Sequence, residues 1–302
     1  MSSDTLISVI VPVFNGERLI SRALRSVVSQ TLPEGVKAEI IVADDCSTDS
    51  TPAEAKKLIP EAEKAGMNMR VISLKEHSGS LAAYLAGAEA SGGKWLARID
   101  SDDRYPQGYL TSMLTAIGKG ADMAVAPFVM TDCAGHTGKL KTPDFHTVDL
   151  NALPIDTATF SLWNKLIARQ LIVGAKPFPG QEKVCRWDDL FIMTQVLTKH
   201  PTISASTIPY HYTQHSGSLT HSDRDAIVAD RLRVAEALGG MLDQELYGPF
   251  VRRLRLMAKI KYLQPPVRRK MWKSIYPMSL REIMTAGQIS LPRRLYMALM
   301  SV

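Results

Sequence analysis

Cysteine is scarce in this 302-residue chain: Cys46, Cys133 and Cys185 stand far apart, with no CxxC or metal-ligand spacing. A disulfide framework and a zinc site are therefore excluded as sources of stability, and a reducing compartment fits best. Long apolar runs are also missing. No stretch approaches the ~20 residues that a membrane-spanning helix needs. The first residues include Asp4 and lack the basic-then-apolar layout of a secretory leader. The expectation is a cytoplasmic protein. Acidic residues are absent from one whole segment: 246–273 carries Arg252, Arg253, Arg255, Lys259, Lys261, Arg268, Arg269, Lys270 and Lys273 without one Asp or Glu. No nucleic-acid-binding module accompanies these cations, so nucleic acid is not an expected partner. Internal repeats and low-complexity stretches are lacking as well.

What remains is an ordinary globular composition, 45% hydrophobic and 22% charged, in a chain long enough to bury a sizeable core. Leu6–Phe14 is a continuous β-branched run, as expected of a strand buried on both faces. Asn15-Gly16 breaks it, and apolar pairs then recur at helical spacing: Leu19/Ile20, Ala23/Leu24, Val27/Val28. Ala38–Ala43 reads as a second strand. Thr51, Pro52 and Glu54 then read as the N-cap, first turn and capping box of a helix. A third strand is expected over Met69–Leu74, a helix over Ser80–Ala90, a fourth strand over Lys94–Ile99, a helix over Pro106–Ile117 and a strand over Met123–Val129. Residues 131–160 read as loop, Ser161–Gln170 and Asp189–Leu197 as helices, and the chain past 222 as wholly helical. Alternating strands and helices predict a mostly parallel sheet with right-handed crossovers, whose ligands sit beyond the carboxyl ends of the strands.

Acidic clusters stand at two of those ends. Asp44-Asp45 follows the second strand, and Asp100-Ser101-Asp102-Asp103 follows the fourth. Two carboxylates one residue apart can share a hard divalent cation while leaving positions open to phosphate oxygens. A departing diphosphate needs such neutralisation.

Val11-Pro12-Val13-Phe14-Asn15, then Ser29-Gln30-Thr31, then Ala43-Asp44-Asp45-Cys46-Ser47-Thr48-Asp49, and finally Ile99-Asp100-Ser101-Asp102-Asp103 resemble, in this order, the opening of family 2 of the inverting glycosyltransferases. The resemblance covers about 6–130 and runs thinly to about 220. It implies a GT-A (Rossmann-like) nucleotide-sugar-binding α/β fold with a mostly parallel central sheet and a C-terminal helical extension. By the same resemblance, Pro12 and Asn15 shape the loop under the nucleotide, with Phe14 touching the base. Asp44 or Asp45 accepts a hydrogen bond from the base, Asp100 and Ser101 lie by the ribose or donor sugar, and Gly79 makes the close-approach turn. Asp102, with Asp103 beside it, holds Mg²⁺ or Mn²⁺ on the diphosphate of a nucleoside-diphosphate sugar, a UDP-sugar being favoured.

An inverting transfer needs a base for the acceptor proton. Arg186-Trp187-Asp188-Asp189-Leu190-Phe191 resembles the family's element for it, with Asp188 favoured and Asp189 the alternative. Leu162-Trp163-Asn164-Lys165-Leu166 resembles the acceptor-side segment, where Trp163 would stack on a sugar or else serve as core. Tyr210–Thr220 resembles a late family motif in which Thr213 stands where relatives carry Arg, with His215 or His211 as substitutes. Tyr84-Leu85 likewise replaces an Arg-Asn pair. The expected organisation is a nucleotide-sugar-binding subdomain over 1–130, an acceptor-side subdomain over 131–221 and a basic helical extension over 222–302. The expected acceptor is a carbohydrate or lipid-linked molecule in polysaccharide or glycolipid synthesis. The basic stretch 246–273 is expected to make peripheral contact with anionic membrane at its inner face, or to be a solvated helical face. A metal-dependent nucleotidyltransferase and a non-catalytic nucleotide-sugar-binding or scaffold protein of the same fold are the alternative functions.

Overall fold

The computed structural model describes residues 5–118, 120–132, 135–145, 147–178, 187–214 and 224–260. Cys133, Cys185, Arg186, His215 and the part of the basic stretch beyond 260 lie outside them. The described residues fall into two compact units, one within 1–143 and 156–218, the other within 144–155 and 219–302.

The first unit is built on a seven-stranded sheet, and its leading strand explains the rest. In β1 (Thr5–Val13), Ile7, Val9, Ile10 and Val11 are all fully buried, the result of helices covering both sheet faces. Each such side chain contributes roughly 1.5–3 kcal/mol through its removal from water. Parallel partners flank β1: β2 (Val36–Asp44) on one side and β4 (Trp95–Arg98) on the other, with β3 (Asn68–Ser73) beyond β2. The register sets Val13 opposite Asp44 and Ile10 opposite Arg98, so the carboxyl ends of β1, β2 and β4 adjoin.

The crossovers are α1 (Ile20–Val28), the short α2 (Thr51–Lys56) and α3 (Ile59–Lys64), and α4 (Ser80–Ala90). Helix α4 lies so close to β1 that a Cβ on Gly87 would fall 2.6 Å from Ile10 Cγ2. Thr51 does not cap α2. It is the first helical residue, and its hydroxyl accepts from Gly16 N–H at 2.7 Å instead, while Glu54 pairs with Lys57. At the amino ends of the strands, Glu39 accepts from Ser8 Oγ (2.5 Å), Gly92 N–H (2.7 Å) and Arg70 Nη1 (2.7 Å). Burial pushes the Glu39 carboxyl up, but these three donors together hold it below the usual carboxylate range.

Past α5 (Tyr109–Ile117) the sequence reading needs two corrections. Met123–Val129 is two strands, β5 (Met123–Val125) in the large sheet and β6 (Phe128–Thr131) in a second one. Pro127 lies between them. Ser161–Gln170 is not a helix: after α6 (Thr157–Phe160) comes β7 (Lys165–Ala168), every residue of it buried, then α7 (Arg169–Ile172). Strand β7 runs antiparallel between β4 and β5, and β8 (Ile203–Ala205) closes the sheet parallel to β5. Helix α8 (Asp188–Leu197) matches expectation. The second sheet pairs β6 in parallel with β9 (Tyr210–Thr213).

The other unit contains α9 (Arg224–Met241) and α10 (Gln244–Ile260), packed with the segment 149–155. Val234, Ala235 and Leu238 of α9 are buried, as are Phe250, Val251, Leu254 and Ala258 of α10. Arg253 is also buried, donating to the carbonyls of Leu150 (3.2 Å) and Leu153 (2.8 Å). Arg253 and Leu254 are thus internal braces rather than surface, whereas Arg252 and Arg255 are exposed. Among the described residues no helix is long and apolar enough to cross a membrane.

Candidate active site

All three acidic pairs singled out in the sequence lie in the first unit, two of them at the carboxyl ends of β2 and β4. Asp44 and Asp45 are 2% and 1% exposed. Asp45 is fully engaged: its two oxygens accept from Ser78 N–H and Gly79 N–H at 2.7 Å each. His77 Nδ1 lies 2.8 Å from Asp45 Oδ2, at ion-pair distance but without a hydrogen bond. Gly79 adopts φ +96°, a left-handed conformation that suits glycine, and so starts α4 with its N–H aimed at that carboxylate. The Asp44 carboxylate makes only long contacts, 3.3 and 3.4 Å from Ser47 N–H.

Around this pair the 14–17 and 46–51 loops lock together. Asn15 N–H donates to Ser47 Oγ at 2.9 Å, and Thr48 N–H donates back to Asn15 Oδ1 at 2.8 Å. Pro12 is buried in β1, opposite Ala43 of β2. Phe14 remains 43% exposed, stacked on His77 with centroids 3.9 Å apart. A Cβ on Gly16 would stand 3.5 Å from Ser101 Oγ, so this loop abuts the turn after β4.

In that turn the carboxylates divide. Asp100, a quarter exposed, takes Arg98 Nε at 2.8 Å. Asp102 is half-buried, and its backbone carbonyl accepts from Arg22. Asp103 points inward, 1% exposed, with Tyr210 Oη and Thr213 N–H donating to its two oxygens at 2.6 Å each. Burial, then the neighbouring Asp102 and Asp100, push the Asp103 carboxyl well up. Its oxygens are committed to β9, and Asp102 is the member of the pair nearer solvent.

Asp188 and Asp189 open α8 and face the same turn. Asp189 accepts Arg98 Nη1 at 2.7 Å on one oxygen and Leu162 N–H at 3.0 Å on the other. Asp188 accepts only its neighbour's N–H, at 2.8 Å, among the contacts resolved. Burial, then Asp189, push the Asp188 carboxyl up to about 7, and Arg98 resists the rise. Asp189 is raised as well, by burial first, with Arg98 again opposing.

The residue overlooked in the sequence is the one that ties these groups together. Arg98, 5% exposed, ends the apolar strand β4 and reaches Asp100, Asp189 and Ser80 Oγ (2.9 Å), with its guanidinium 5.6 Å from the Tyr84 ring centre. The available signal was an arginine two residues before the acidic turn. Lys165, 1% exposed, donates to Ala158 O (3.2 Å) and Asn164 Oδ1 (2.7 Å), and burial pushes its amine down to about 7. Trp163 is core: it is 4% exposed, packed against Phe128, Tyr210 and Tyr212, and so offers no open face to a sugar. His211 lies in β9, and its pKa is lowered by burial and by Arg104.

Among the described residues no cluster of three or more His, Cys, Asp or Glu could by itself hold a metal ion. A cation shared between one or two carboxylates and substrate phosphates needs fewer protein ligands than such a cluster.

Comparison with known proteins identifies the family. The model of glycosyl transferase family 2 matches residues 8–173, more than half of the chain. The succinoglycan biosynthesis protein ExoO of Rhizobium meliloti is 33% identical over 149 residues, 49% of this chain and 39% of that protein. The chain thus spans about two fifths of that relative's length. Staphylococcus aureus TarS 1–349, solved with UDP-GlcNAc, superposes with a TM-score of 0.62 at 17% identity, covering 98% of this chain and 88% of that one. The mannosyltransferase PcManGT of Pyrobaculum calidifontis, solved with GDP-Man and Mn²⁺, gives 0.53 at 17% identity, covering 97% and 78%. At such identities the likeness to the two solved structures is one of fold.

Proposed function

The chain belongs to glycosyl transferase family 2, and from that premise we propose that it moves one sugar from a nucleoside-diphosphate donor to an acceptor hydroxyl with inversion. The observation that carries this reading is the meeting of three carboxylate pairs, Asp44/Asp45, Asp100/Asp102 and Asp188/Asp189, on loops and a helix start around one sheet edge.

Asp44 accepts a hydrogen bond from the base, because Asp45 is spent on the turn before α4, and Phe14 offers its exposed face to the same base. Asp100 lies by the ribose or donor sugar. Asp102 would hold a Mn²⁺ or Mg²⁺ ion, which would supply positive charge for a departing diphosphate. Asp188 takes the acceptor proton as the hydroxyl oxygen attacks the anomeric carbon. A carboxylate that ionises near neutral pH suits general-base work better than one with an ordinary pKa. A UDP-sugar donor is in keeping with the fold shared with TarS, solved with UDP-GlcNAc, and a saccharide acceptor with the likeness to the succinoglycan biosynthesis protein ExoO. The exposed Arg252 and Arg255 belong to the basic stretch proposed to meet anionic membrane.

The test is a thermal-shift screen of UDP- and GDP-sugars with and without Mn²⁺, on the wild type and Asp102→Ala. A donor at 100 times its Kd stabilises by about 2.7 kcal/mol. A metal-dependent shift in the wild type, lost in a normally folded Asp102→Ala, supports the assignment. No shift with any nucleotide sugar refutes the function, and an undiminished shift in Asp102→Ala refutes the metal role.

A further inference from the structure

Asp188 and Asp189 are adjacent, have the same chemistry, and open the same helix, so something outside them must make their roles differ. We propose that Arg98 is the positioning residue that assigns those roles, holding the proton off Asp189, leaving Asp188 to exchange it, and tying both to the donor-side Asp100. This rests on the proposed base role of Asp188.

The geometry is that of a fork used from three sides. Nε engages Asp100 at 2.8 Å, Nη1 engages Asp189 at 2.7 Å, and Nη2 engages Ser80 Oγ at 2.9 Å. The backbone is held too, since Tyr105 Oη donates to the Arg98 carbonyl at 2.9 Å. The aromatic ring of Tyr84 covers one side of the guanidinium and leaves the donors in one plane. A lysine could supply the charge here but not three planar donors at fixed angles. An arginine this deeply buried needs carboxylate partners to stay charged and desolvated, and it has two, from different halves of the site.

The consequence for the pair follows from Coulomb's law. Like charges on neighbouring carboxylates push both toward protonation, and a cation bound to one of them holds the proton off that one. Because Arg98 bonds directly to Asp189, the shared proton goes to Asp188. The charged groups acting on Asp188 are Asp189 from its own helix, Arg98 from the end of β4 and Asp100 from the turn beyond; Lys165 from β7 acts on Asp189. The same side chain also joins Asp100 in the turn after β4 to Asp189 at the start of α8.

The experiment uses full-length protein labelled with carboxyl-¹³C aspartate. The Asp188 resonance, identified by its loss in Asp188→Asn, is titrated in wild type, Arg98→Lys, Arg98→Gln, Asp189→Asn and Arg98→Gln/Asp189→Asn. Unfolding curves confirm that each protein is folded. The Asp188 midpoint should rise by about one pH unit or more in Arg98→Gln. It should rise less in Arg98→Lys, and return toward wild type when Asp189 is neutralised as well. If Arg98→Gln does not fold, the double variant should still titrate above Asp189→Asn alone. An unchanged midpoint in folded Arg98→Gln overturns the proposal, as does equality of the double variant with Asp189→Asn. Binding of UDP with Mn²⁺, measured by calorimetry on the same samples, separates the two readings: a wild type that binds no nucleotide refutes the proposed function and leaves the titration result standing.

Discussion

Replacing Asp188 with Asn should make the protein more stable and inactive at once, and the stabilisation should depend on pH. The folded environment raises the Asp188 carboxyl from 3.8 to about 7. A group whose folded pKa exceeds its unfolded one stabilises the fold when protonated. That contribution is fully present below about pH 3.8, declines as pH rises, and is gone above about 7. Each unit is worth about 1.4 kcal/mol, so ionising Asp188 costs the fold on the order of 4 kcal/mol at most. The side chain is only half-buried and shares its proton with Asp189, which reduces the net cost to about 1–2 kcal/mol. Asn carries no charge at any pH and is therefore expected to exceed the wild type by that amount at pH 8 and to match it near pH 4. Urea unfolding at a series of pH values measures this directly. The catalytic counterpart is a wild-type rate that rises about tenfold per pH unit below 7 and then levels, and a loss of about 10²–10⁴-fold in the variant. An Asp188→Asn protein less stable than wild type at pH 8, or one that keeps the wild-type rate, refutes the reasoning.

Glu39→Gln should destabilise by about 1–3 kcal/mol at pH 7, since a buried carboxylate with three donors becomes an amide that can satisfy only part of them. The folded Glu39 carboxyl is depressed, so its contribution exists above about pH 4.5 and is lost on acidification; unfolding curves in which the gap does not close as pH falls would refute this. For the basic stretch, Arg252→Glu/Arg255→Glu should weaken co-sedimentation with anionic vesicles at low salt, at about 1 kcal/mol per cation held near the surface. Equal sedimentation with neutral vesicles, or no effect of the charge reversal, would leave those arginines as a solvated face.

The sheet was legible where burial on both faces writes a mostly apolar run. Leu6–Phe14 and Ala38–Ala43 are such runs, and both fall where β1 and β2 lie. The acidic residues just after them were legible because polar side chains at that edge have no packing role to explain them. Strand β7 was not legible. Four residues are too few to display a period, and Lys165–Ala168 is a strand only because β4 and β5 bracket it from distant parts of the chain. The break at Pro127 was available and went unused: proline interrupts a strand ladder, and β5 and β6 do diverge around it. Trp163 could not be placed from its neighbours, because its cover comes from β6 and β9. Nor could the second unit's borrowing of 144–155, which the linear order assigns to the middle of the chain.

Arg98 shows the deeper reason. Reading by family pattern compares residues position by position, and by that measure the chain lacks a cation at Tyr84 and another at Thr213. The structure compares them in space. The guanidinium of Arg98, from β4, stands 5.6 Å from the Tyr84 ring, and Nη2 of Arg22, from α1, stands 3.3 Å from Thr213 Oγ1. At both places a positive charge arrives from a different element. Electrostatics depends on where a charge ends up and not on which strand or helix carries it, so a motif can lose an arginine while the site keeps a cation. Neither arginine stands at the motif position it serves, and the fold brings each to the gap that the motif had left.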